Sequence, residues 1–573
     1  MAFTIKEINL KKHWPVFFIS LFLGITNCTK DEAGGDDINY QAAGTVISTE
    51  CSGTIRVVTY ADGSGGTYKN RFENSVECGY EEPAEGFNGP TYPDNYTSMA
   101  SWGFRAQWNL ANVHDPTVEK DGEYYYMYQT DASYGNAHDG HGHFHHRRSK
   151  DLVTWEYLGS SMPSPPTWIK DTLNNKRARM NPALPAIENP QYGFWAPYIK
   201  KVGSVYRMYY SVVVINHIVG NNTNASWTER AFVGLMETDN LASNSWTDKG
   251  MVVCSIEDGL ETYTRTSGND WSGYFKFNAI DPTMIITPEN EHYLIYGSWH
   301  SGIAAVKLDP ATGKPNKLET LDDYGVTVAK RGFSRWQASE GPEIIYNPDT
   351  DYYYLFLAYD ELSVAYNTRV ARSRNVTGPY IGIDGGDVTN GADCYPMLTH
   401  PYKFNNHTGW VGFSHCSVFQ NPDTNKWYYA SQARLPENVP GINVSNAVMM
   451  GHVREIEWTS DGWPVIAPER YANVPETEIT EASFVGSWEH IPMQYQYRTV
   501  QNAQTIYLNT NNNISGDFSG SWSYDSGTKT LNINGIECKV FDAWDWEAST
   551  RKVTISYSGL TASGMPIWGK KIN

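Results

Sequence analysis

Short runs of alternating apolar and polar residues fill most of this chain, and long helical patterns are scarce. A representative unit opens at Asp115, continues through a β-type run at 116–118 and a polar turn at 119–122, and ends in the aromatic run Tyr124–Tyr128. Glycine and proline residues separate such runs along the chain. This punctuation predicts many short strands and an all-β fold.

The unit recurs four more times in altered form, each time with an opening, a short strand, a polar turn and an aromatic strand. The five openings are Asp115, the Trp195-Ala196-Pro197 turn, Asp281, Glu340 and His415. One unit cannot bury both faces of its sheet, whereas five units in a ring can. Repeats at intervals of roughly 60 to 90 residues therefore predict a five-bladed β-propeller over residues 95–474. Because the inner strand of each blade begins at the central channel, we expect the five openings to face a common centre.

Two further regions flank the predicted propeller. After about residue 475 the chain changes to short alternating strands, for example at 519–524 and 552–557. This change predicts a separate C-terminal β-barrel or sandwich over residues 475–573. Residues 29–94 combine a polar tether with a small β segment, to which the sequence assigns no function.

The first 28 residues have the features of a bacterial export signal. A lysine-rich start precedes an apolar run at 14–25, which is too short to span a bilayer as a mature helix. The sequence before Cys28 resembles a lipoprotein cleavage site, and 28–32 resembles the acidic export signal of surface lipoproteins in some Gram-negative glycan degraders. We therefore predict an outer-membrane lipoprotein, anchored by lipidated Cys28 and exposed at the cell surface. An ordinary secretory peptide is the alternative.

Composition narrows the class of partner. The chain of 573 residues has a formal net charge of −19, which would repel the phosphates of a nucleic acid. Its 39 tyrosines and 20 tryptophans suit a neutral polyhydroxylated ligand, because sugar faces pack on aromatic rings. No two of its cysteines form a Cys-x-x-Cys pair, so a zinc cage is not expected. A disulfide between Cys51 and Cys78 is compatible with export, but the sequence leaves this pairing open.

Five motifs in a fixed order carry a family resemblance. They are His-Asp-Pro at 114–116, Trp-Ala-Pro at 195–197, Ile-Asp-Pro at 280–282, Glu-Gly-Pro at 340–342 and Ser-His-Cys-Ser-Val at 414–418. In this order they resemble glycoside hydrolase family 43, and over residues 95–573 the chain is most similar to its extracellular endo-α-1,5-L-arabinanases with an extra C-terminal β domain. One departure is Ser414, where the family usually has glycine before the channel histidine.

The resemblance implies an inverting enzyme that hydrolyses α-1,5-linked arabinan of pectin side chains. By the family pattern, Asp115 is the general base, Glu340 is the general acid, and Asp281 tunes the pKa of the acid and orients it. Such a mechanism needs the base and the acid to lie about 6.5 to 9.5 Å apart, with a water between them. Glu343 is a rival for the acid. We prefer Glu340 because it holds the opening position and strand alternation would turn Glu343 to the other face.

The resemblance also implies a cation, usually calcium, at His415, with water in most of its coordination positions. We expect the substrate to contact His114, Trp195, Ile280, Ser298 and Trp299. The two tryptophans are candidate stacking platforms, with core packing as the alternative. The histidine-rich run 138–146 is interpreted either as a metal cluster or, in preference, as a loop over the mouth of the cleft.

Two other functions stay open at the level of the sequence. An exo-acting α-L-arabinofuranosidase or β-xylosidase would use the same scaffold and the same acids. A non-catalytic glycan-binding propeller would need no acid and base together, so three intact acids favour an enzyme. The expected partner is arabinan or arabino-oligosaccharide, and the expected oligomeric state is a monomer.

Overall fold

The computed structural model describes residues 46–52, 55–61, 66–72, 87–179, 183–215, 230–255, 276–299, 302–332, 339–404, 407–436 and 448–572. The predicted export signal with Cys28, the tether up to residue 45 and Cys78 lie outside these residues. Among the helices that fall within them, none has the length and apolar character needed to cross a membrane.

A small antiparallel sheet begins the described chain. Its strands, in the order β1-β2-β3, are β1 (Val46–Ser52), β2 (Ile55–Ala61) and β3 (Thr67–Phe72). Cys51 on β1 is disulfide-bonded. This sheet agrees with the small β segment that the sequence predicts before the propeller.

Five antiparallel sheets follow, and we number them as blades. The first blade contains β4 (Thr117–Asp121), β5 (Tyr124–Tyr128), β6 (His143–Ser149) and β7 (Glu156–Met162). The second contains β8 (Gln191–Val202), β9 (Val205–Ile215), β10 (Arg230–Thr238) and β11 (Thr247–Cys254). The third contains β12 (Thr283–Ile286), β13 (His292–Tyr296), β14 (Ile303–Leu308) and β15 (Val326–Ala329).

The last two blades complete the set. The fourth contains β16 (Ser339–Asn347), β17 (Tyr352–Tyr359) and β18 (Asn367–Ser373), and a bridge between Arg372 and Ile381 extends its outer edge. A two-residue strand, β19 (Tyr402–Lys403), follows it. The fifth contains β20 (Cys416–Gln420), β21 (Trp427–Ala433), β22 (Met450–Trp458) and β23 (Pro464–Ile466).

The five blades close into a ring through their inner strands. Strands β4, β8, β12, β16 and β20 each contact the next, and β20 returns to contact β4. The predicted five-bladed propeller is therefore confirmed. Aromatic side chains fill the space between neighbouring sheets, since Tyr126, Tyr209 and Tyr296 of three successive blades share one buried core. This packing explains why each second strand is rich in tyrosine.

Helical segments are short. The α-helix α1 (Trp168–Arg179) connects the first two blades and buries Ile169 and Leu173 in the same core. The 3₁₀ segments are Thr97–Met99, Trp102–Gln107, Tyr134–Asn136, Leu241–Ser243, Leu321–Tyr324, Val388–Asn390 and Glu481–Phe484.

A closed eight-stranded barrel forms the C-terminal region, which resolves the predicted alternatives in favour of a barrel over a sandwich. Its strands are β24 (Gly486–Pro492), β26 (Gln504–Leu508), β27 (Asn513–Gly516), β28 (Gly520–Asp525), β29 (Thr530–Ile533), β30 (Ile536–Trp544), β31 (Val553–Leu560) and β32 (Pro566–Ile572). Buried apolar side chains including Trp488, Trp522 and Tyr557 pack together in one core of this barrel. The remaining strand, β25 (Gln501–Asn502), pairs with β19 of the propeller region and joins the two units.

Candidate active site

The openings of the blades bring four predicted residues to neighbouring ends of the inner strands. Asp115 and Asp281 precede β4 and β12, and both have positive φ angles of 45° and 54°. This left-handed region is one that aspartate tolerates better than most residues. Glu340 lies near the start of β16, and His415 directly precedes β20. We call Asp115, Asp281 and Glu340 the channel acids.

Side chains of its own blade and of the fifth blade hold Asp115. Its backbone N–H donates to Gln432 Oε1 of the fifth blade, and Thr130 Oγ1 donates to its Oδ2 at 2.6 Å. Thr130 in turn accepts a hydrogen bond from the backbone N–H of Ala196 at 2.7 Å. The hydroxyl proton of Thr130 is therefore directed at Asp115, and the Trp-Ala-Pro turn of the second blade is linked to the first.

Two imidazoles lie beside the same carboxylate. His114 Nδ1 and His415 Nδ1 lie 3.4 Å and 3.6 Å from Asp115 Oδ1. Burial raises the pKa of Asp115, but the two imidazoles and the threonine hydroxyl outweigh burial and hold this pKa well below its usual range. Asp115 is consequently ionised at neutral pH and accepts protons from its surroundings.

Asp281 favours the opposite protonation state. Its backbone N–H donates to Ser211 Oγ at 3.0 Å, and its Oδ2 accepts from the backbone N–H of Gly341 at 3.1 Å. Burial, together with the neighbouring carboxylates of Glu340 and Asp115, raises the pKa of Asp281 well above its usual range. From the sequence we expected a neighbouring carboxylate to raise the pKa of Glu340. In the structure, the carboxylates of Glu340 and Asp115 raise the pKa of Asp281.

Three donors surround the carboxylate of Glu340. Ser298 Oγ donates to Oε2 at 2.9 Å, and Trp299 Nε1 donates to the same oxygen at 2.7 Å. Tyr366 donates its hydroxyl proton to Oε1 at 2.7 Å. The residue is therefore held at both oxygens by side chains of two blades.

His415 lies beside Asp115, and Glu340 is close enough to influence its pKa. A Cβ atom on Gly341 would lie 2.8 Å from its ring, which explains the glycine of the Glu-Gly-Pro motif. Burial lowers the pKa of His415, although the carboxylates of Asp115 and Glu340 partly offset this effect. Ser414 before it has a φ of 131°, a region that favours glycine, and its Oγ lies 2.9 Å from Thr368 Oγ1. The departure from glycine therefore falls at a position where the backbone favours glycine.

Glu343 occupies a separate place along the channel. Its Oε2 accepts from Thr283 Oγ1 at 3.1 Å, and its Oε1 accepts from the backbone N–H of Val418 at 3.3 Å. Burial raises its pKa to about 8. A register shift between Glu340 and Glu343 breaks the strand alternation on which the preference for Glu340 was based. The two glutamates differ instead in depth, because Thr283 and Val418 lie further along the inner strands than Asp281 and His415.

The predicted substrate residues fall into two groups. Ser298 and Trp299 bond to Glu340, and Trp299 keeps part of its ring exposed. Trp195 is also half-buried and packs against buried Ile280. His114 is 4% exposed and contacts Asp115. Trp195 and Trp299 are half-buried, whereas His114, Ile280 and Ser298 are buried. The two tryptophans therefore offer a ligand more surface than the other three residues.

Sequence reasoning missed the hydrogen-bonding side chains that position the acids. Thr130, Ser211 and Gln432 hold Asp115 or Asp281, and Tyr366 bonds to Glu340. A signal was present for the first three and for Ser298, since each is a polar residue within or just after an aromatic second strand. Tyr366 has no such signal, because it lies in the segment between β17 and β18.

The histidine-rich run 138–146 is partly strand, with residues 138 and 144–146 buried and residues 139–141 exposed. His143 lies on β6, its Nδ1 is 2.6 Å from Asp131 Oδ2, and its ring stacks on Phe194 at 3.8 Å. His145 Nδ1 lies 2.6 Å from the Tyr157 hydroxyl, and burial lowers the pKa of His145 to about 2. In the described part of the chain these histidines form no group of three that could share a metal ion.

A second group of buried acids lies where the barrel meets the propeller. Lys570 Nζ lies 2.7 Å from Asp545, 3.0 Å from Glu547, 3.0 Å from Glu469 and 3.6 Å from Glu489. We call these five residues the lysine-centred cluster. Three of the carboxylates are close enough to share a metal ion, but the ammonium of Lys570 already contacts all three.

Contacts with the propeller complete this cluster. Tyr402 donates its hydroxyl proton to Glu547 Oε1 at 2.7 Å, and Trp410 Nε1 donates to the same oxygen at 3.0 Å. Burial raises the pKa of Glu547, but Lys570, His407 and the hydroxyl of Tyr402 outweigh burial and lower this pKa to about 2. The cluster therefore bonds barrel residues to the segment between the fourth and fifth blades.

Comparisons with known proteins agree with this architecture. The family described as Glycosyl hydrolases family 43 matches residues 110–464, and a family described as a C-terminal lipocalin-like domain matches residues 468–569. The extracellular endo-alpha-(1->5)-L-arabinanase of Thermotoga petrophila is 25% identical over 496 residues, covering 81% of this chain and 94% of the relative. The extracellular endo-alpha-(1->5)-L-arabinanase 2 of Bacillus subtilis is 25% identical over 482 residues, covering 80% and 93%.

A solved structure shares the arrangement of both units. The crystal structure of endo-1,5-alpha-L-arabinanase from Thermotoga petrophila matches with a TM-score of 0.62 and 25% sequence identity. The match covers 81% of this chain and 99% of that chain. The likeness therefore extends over the propeller and the barrel together.

Proposed function

This chain belongs to glycosyl hydrolases family 43, and on that premise we propose that it cleaves internal α-1,5-L-arabinofuranosyl linkages of arabinan with inversion of configuration. The observation that carries the proposal is the meeting of three carboxylates with different environments at one end of the propeller channel. Two relatives that align with this chain over most of their own length are named arabinanases. Their names support arabinan as the substrate.

In this mechanism Asp115 is the general base. It removes a proton from a water molecule, whose oxygen attacks the anomeric carbon from the face opposite the leaving group. The low pKa of Asp115 keeps it ionised, and Thr130 holds one of its oxygens in place. The water oxygen becomes the new anomeric hydroxyl, and the abstracted proton passes from Asp115 to solvent after the product leaves.

Glu340 is the general acid in the same step. It donates its proton to the glycosidic oxygen as the bond between that oxygen and the anomeric carbon breaks. Asp281, hydrogen-bonded to the residue after Glu340, orients this side chain and adds negative charge when ionised, which favours a protonated Glu340. Glu340 then regains a proton from solvent, so the enzyme returns to its starting state.

Product analysis on linear arabinan tests this activity. We expect the wild-type protein to release reducing ends as arabino-oligosaccharides of mixed length, and Asp115→Ala to release none. Arabinose alone as the early product would indicate exo action, and xylose from β-xylosides would indicate a β-xylosidase. Binding of arabinan without any new reducing ends would support the glycan-binding propeller and contradict the proposed hydrolysis.

We also propose a calcium ion beside His415. Burial keeps this imidazole neutral and able to offer a lone pair, and the channel acids supply negative charge nearby. Calcium prefers oxygen ligands, so water would fill most of its coordination sphere. Bound calcium would hold the imidazole in place and add positive charge near the acids. Calorimetric titration of chelator-treated protein should show calcium binding that His415→Ala abolishes, whereas a melting temperature unaffected by calcium and chelator would contradict the site.

Finally, we propose that the protein is exported and held at the cell surface by a lipid on Cys28. The lipoprotein-like signal supports this location, and the relatives are named extracellular. Metabolic labelling with a clickable palmitate should mark the wild type and not Cys28→Ala. Release of unlabelled wild-type protein into the medium would instead indicate an ordinary secretory peptide. In solution we expect the unanchored protein to be a monomer.

A further inference from the structure

Tyr366 contacts Glu340, the proposed acid, from a connection of the fourth blade that several hydrogen bonds hold in place. The residue is 2% exposed, and it lies in the connection between β17 and β18. The side chain of the next residue, Asn367, donates to Ala365 O at 2.9 Å and to Asp360 Oδ2 at 2.8 Å. Arg331 Nη1 donates to the other oxygen of Asp360 at 2.7 Å. These bonds fix the backbone that carries Tyr366.

Counting lone pairs on Glu340 identifies the place of its transferable proton. A carboxylate offers about four lone-pair positions, two on each oxygen. Ser298 Oγ and Trp299 Nε1 use those of Oε2, and the Tyr366 hydroxyl uses one of those on Oε1. Trp299 can only donate, so a proton on Oε2 would displace a fixed bond. One position remains, on Oε1.

The hydroxyl of Tyr366 stays protonated and so remains a hydrogen-bond donor at every working pH. Burial, with the carboxylates of Glu340, Asp115 and Asp281, raises the pKa of Tyr366 well above its usual range. The phenol therefore keeps its proton throughout the working pH range. The influence of all three carboxylates also indicates that its hydroxyl lies among the channel acids.

We propose that Tyr366 is a positioning residue that directs the transferable proton of Glu340 to the open lone pair of Oε1, facing the leaving oxygen. The inference rests on the proposed function of Glu340 as the general acid. Tyr366 itself exchanges no proton in the step, since the proton moves from Glu340 Oε1 to the glycosidic oxygen and is later replaced from solvent. Without the hydroxyl, Oε1 gains a second, unproductive position and the carboxylate loses a donor.

The test replaces Tyr366 with phenylalanine and records pH–rate profiles on linear arabinan. A donor to a carboxylate stabilises its ionised form, so its removal makes the acid weaker. We expect the alkaline limb of kcat to move up by about one pH unit. We expect kcat below the limb to fall about tenfold with KM nearly unchanged, because the interaction concerns proton transfer rather than sugar binding.

The matched control is Tyr380→Phe. Tyr380 is fully buried in the same blade region and donates one hydrogen bond, to Val376 O at 3.0 Å. This variant should leave kcat and both limbs as in the wild type. An unshifted alkaline limb in Tyr366→Phe, or the same shift in both variants, would overturn the assignment.

A second readout does not depend on any substrate. Infrared difference spectra between a protein and its Glu340→Gln variant report the carboxyl stretch of Glu340 alone, and a pH series gives its titration midpoint. The midpoint should lie about one unit higher in the Tyr366→Phe background. If the wild type hydrolyses no arabinan but this midpoint moves, the proposed function fails and the positioning holds. If arabinan is hydrolysed and the midpoint does not move, the positioning fails alone.

Discussion

The channel acids and the lysine-centred cluster are both buried groups of carboxylates, but their charges are balanced differently. In the cluster, the ammonium of Lys570 lies within 3.0 Å of three carboxylates and 3.6 Å from a fourth. Around the channel acids, hydroxyl, indole and backbone amide groups donate hydrogen bonds, and two imidazoles lie beside Asp115. A buried lysine lies at the centre of one group, whereas uncharged donors and two imidazoles surround the other.

This difference separates a structural site from a chemical one. In the cluster, Lys570 helps to hold the pKa of Glu547 low, while burial and the neighbouring carboxylates raise the pKa of Glu469. Removal of the ammonium would leave its ionised partners uncompensated. Carboxylates that share a channel without a cationic side chain among them repel one another, and this repulsion raises the pKa of one of them. The raised pKa of Asp281 beside the low pKa of Asp115 is this second pattern. Opposed pKa shifts also occur in the cluster, where the pKa of Glu469 is raised and that of Glu547 is lowered to about 2, so the ammonium of Lys570, rather than the shifts, distinguishes the two groups.

The largest effect on activity is expected within the channel. Glu340→Gln and Asp115→Asn should each lower kcat on arabinan about 10³- to 10⁴-fold, because each removes a proton donor or acceptor. Glu340→Gln should keep the melting temperature, whereas Asp115→Asn should lower it, because the imidazoles and Thr130 stabilise the ionised form of Asp115 in the fold. Glu343→Gln serves as the control and should keep near wild-type activity. Loss of activity in Glu343→Gln with retention in Glu340→Gln would reverse the assignment of the acid.

The lysine-centred cluster should respond with stability rather than rate. Lys570→Met leaves four buried carboxylates without their cation, and we expect the free energy of unfolding of the barrel to fall by about 3 to 5 kcal/mol. Urea unfolding followed by tryptophan fluorescence measures this loss. The ammonium of the neighbouring Lys571 donates to Ser483 O at 2.7 Å, so Lys571→Met should lower the free energy of unfolding by about 1 kcal/mol. Equal losses in the two variants would remove the distinction between the sites.

Glu343 offers a test by pH of a buried carboxyl without a cation. Burial raises its pKa to about 8 in the folded state, above the value of 4.5 expected when unfolded. Its contribution to stability is therefore fully present below pH 4.5 and is lost as pH rises toward 8. At pH 9, Glu343→Gln should be more stable than the wild type by roughly 2 to 4 kcal/mol relative to their difference at pH 4. A difference independent of pH would contradict the buried, protonated state.

A smaller effect is expected at Thr130. Thr130→Val removes the donor to Asp115 Oδ2, so the pKa of Asp115 should rise toward its usual range. The acid limb of kcat/KM should move up by about one pH unit, with a loss of about tenfold in kcat/KM on its plateau. Thr554→Val in the barrel removes a comparable bond, to Lys571 O at 2.8 Å, and should leave the profile unchanged. An unmoved acid limb in Thr130→Val would show that this hydroxyl does not govern the base.

The repeated pattern was sufficient to predict the propeller and the four opening residues that meet at the site, because each blade places the same strand ends at the channel. Contacts between distant segments were not readable, since periodicity describes one strand at a time. Tyr366 and Glu340 are 26 positions apart, and Gln432 reaches Asp115 across 317. Strand alternation could not decide between Glu340 and Glu343, because it assumes an unbroken register and β16 has a register shift between these two residues. Lys570 and its carboxylates showed no sequence signal, because their separation reflects the closure of the barrel.

The stereochemistry of hydrolysis tests the division of labour between Asp115 and Glu340 most directly. Proton NMR of linear arabinan during the first turnovers resolves the anomer of the newly formed reducing end before it equilibrates. A base that activates water opposite the acid predicts that the β-anomer appears first and the α-anomer only by later mutarotation. The α-anomer as the first product would mean retention, and it would contradict the assignment of Asp115 as a base acting on water.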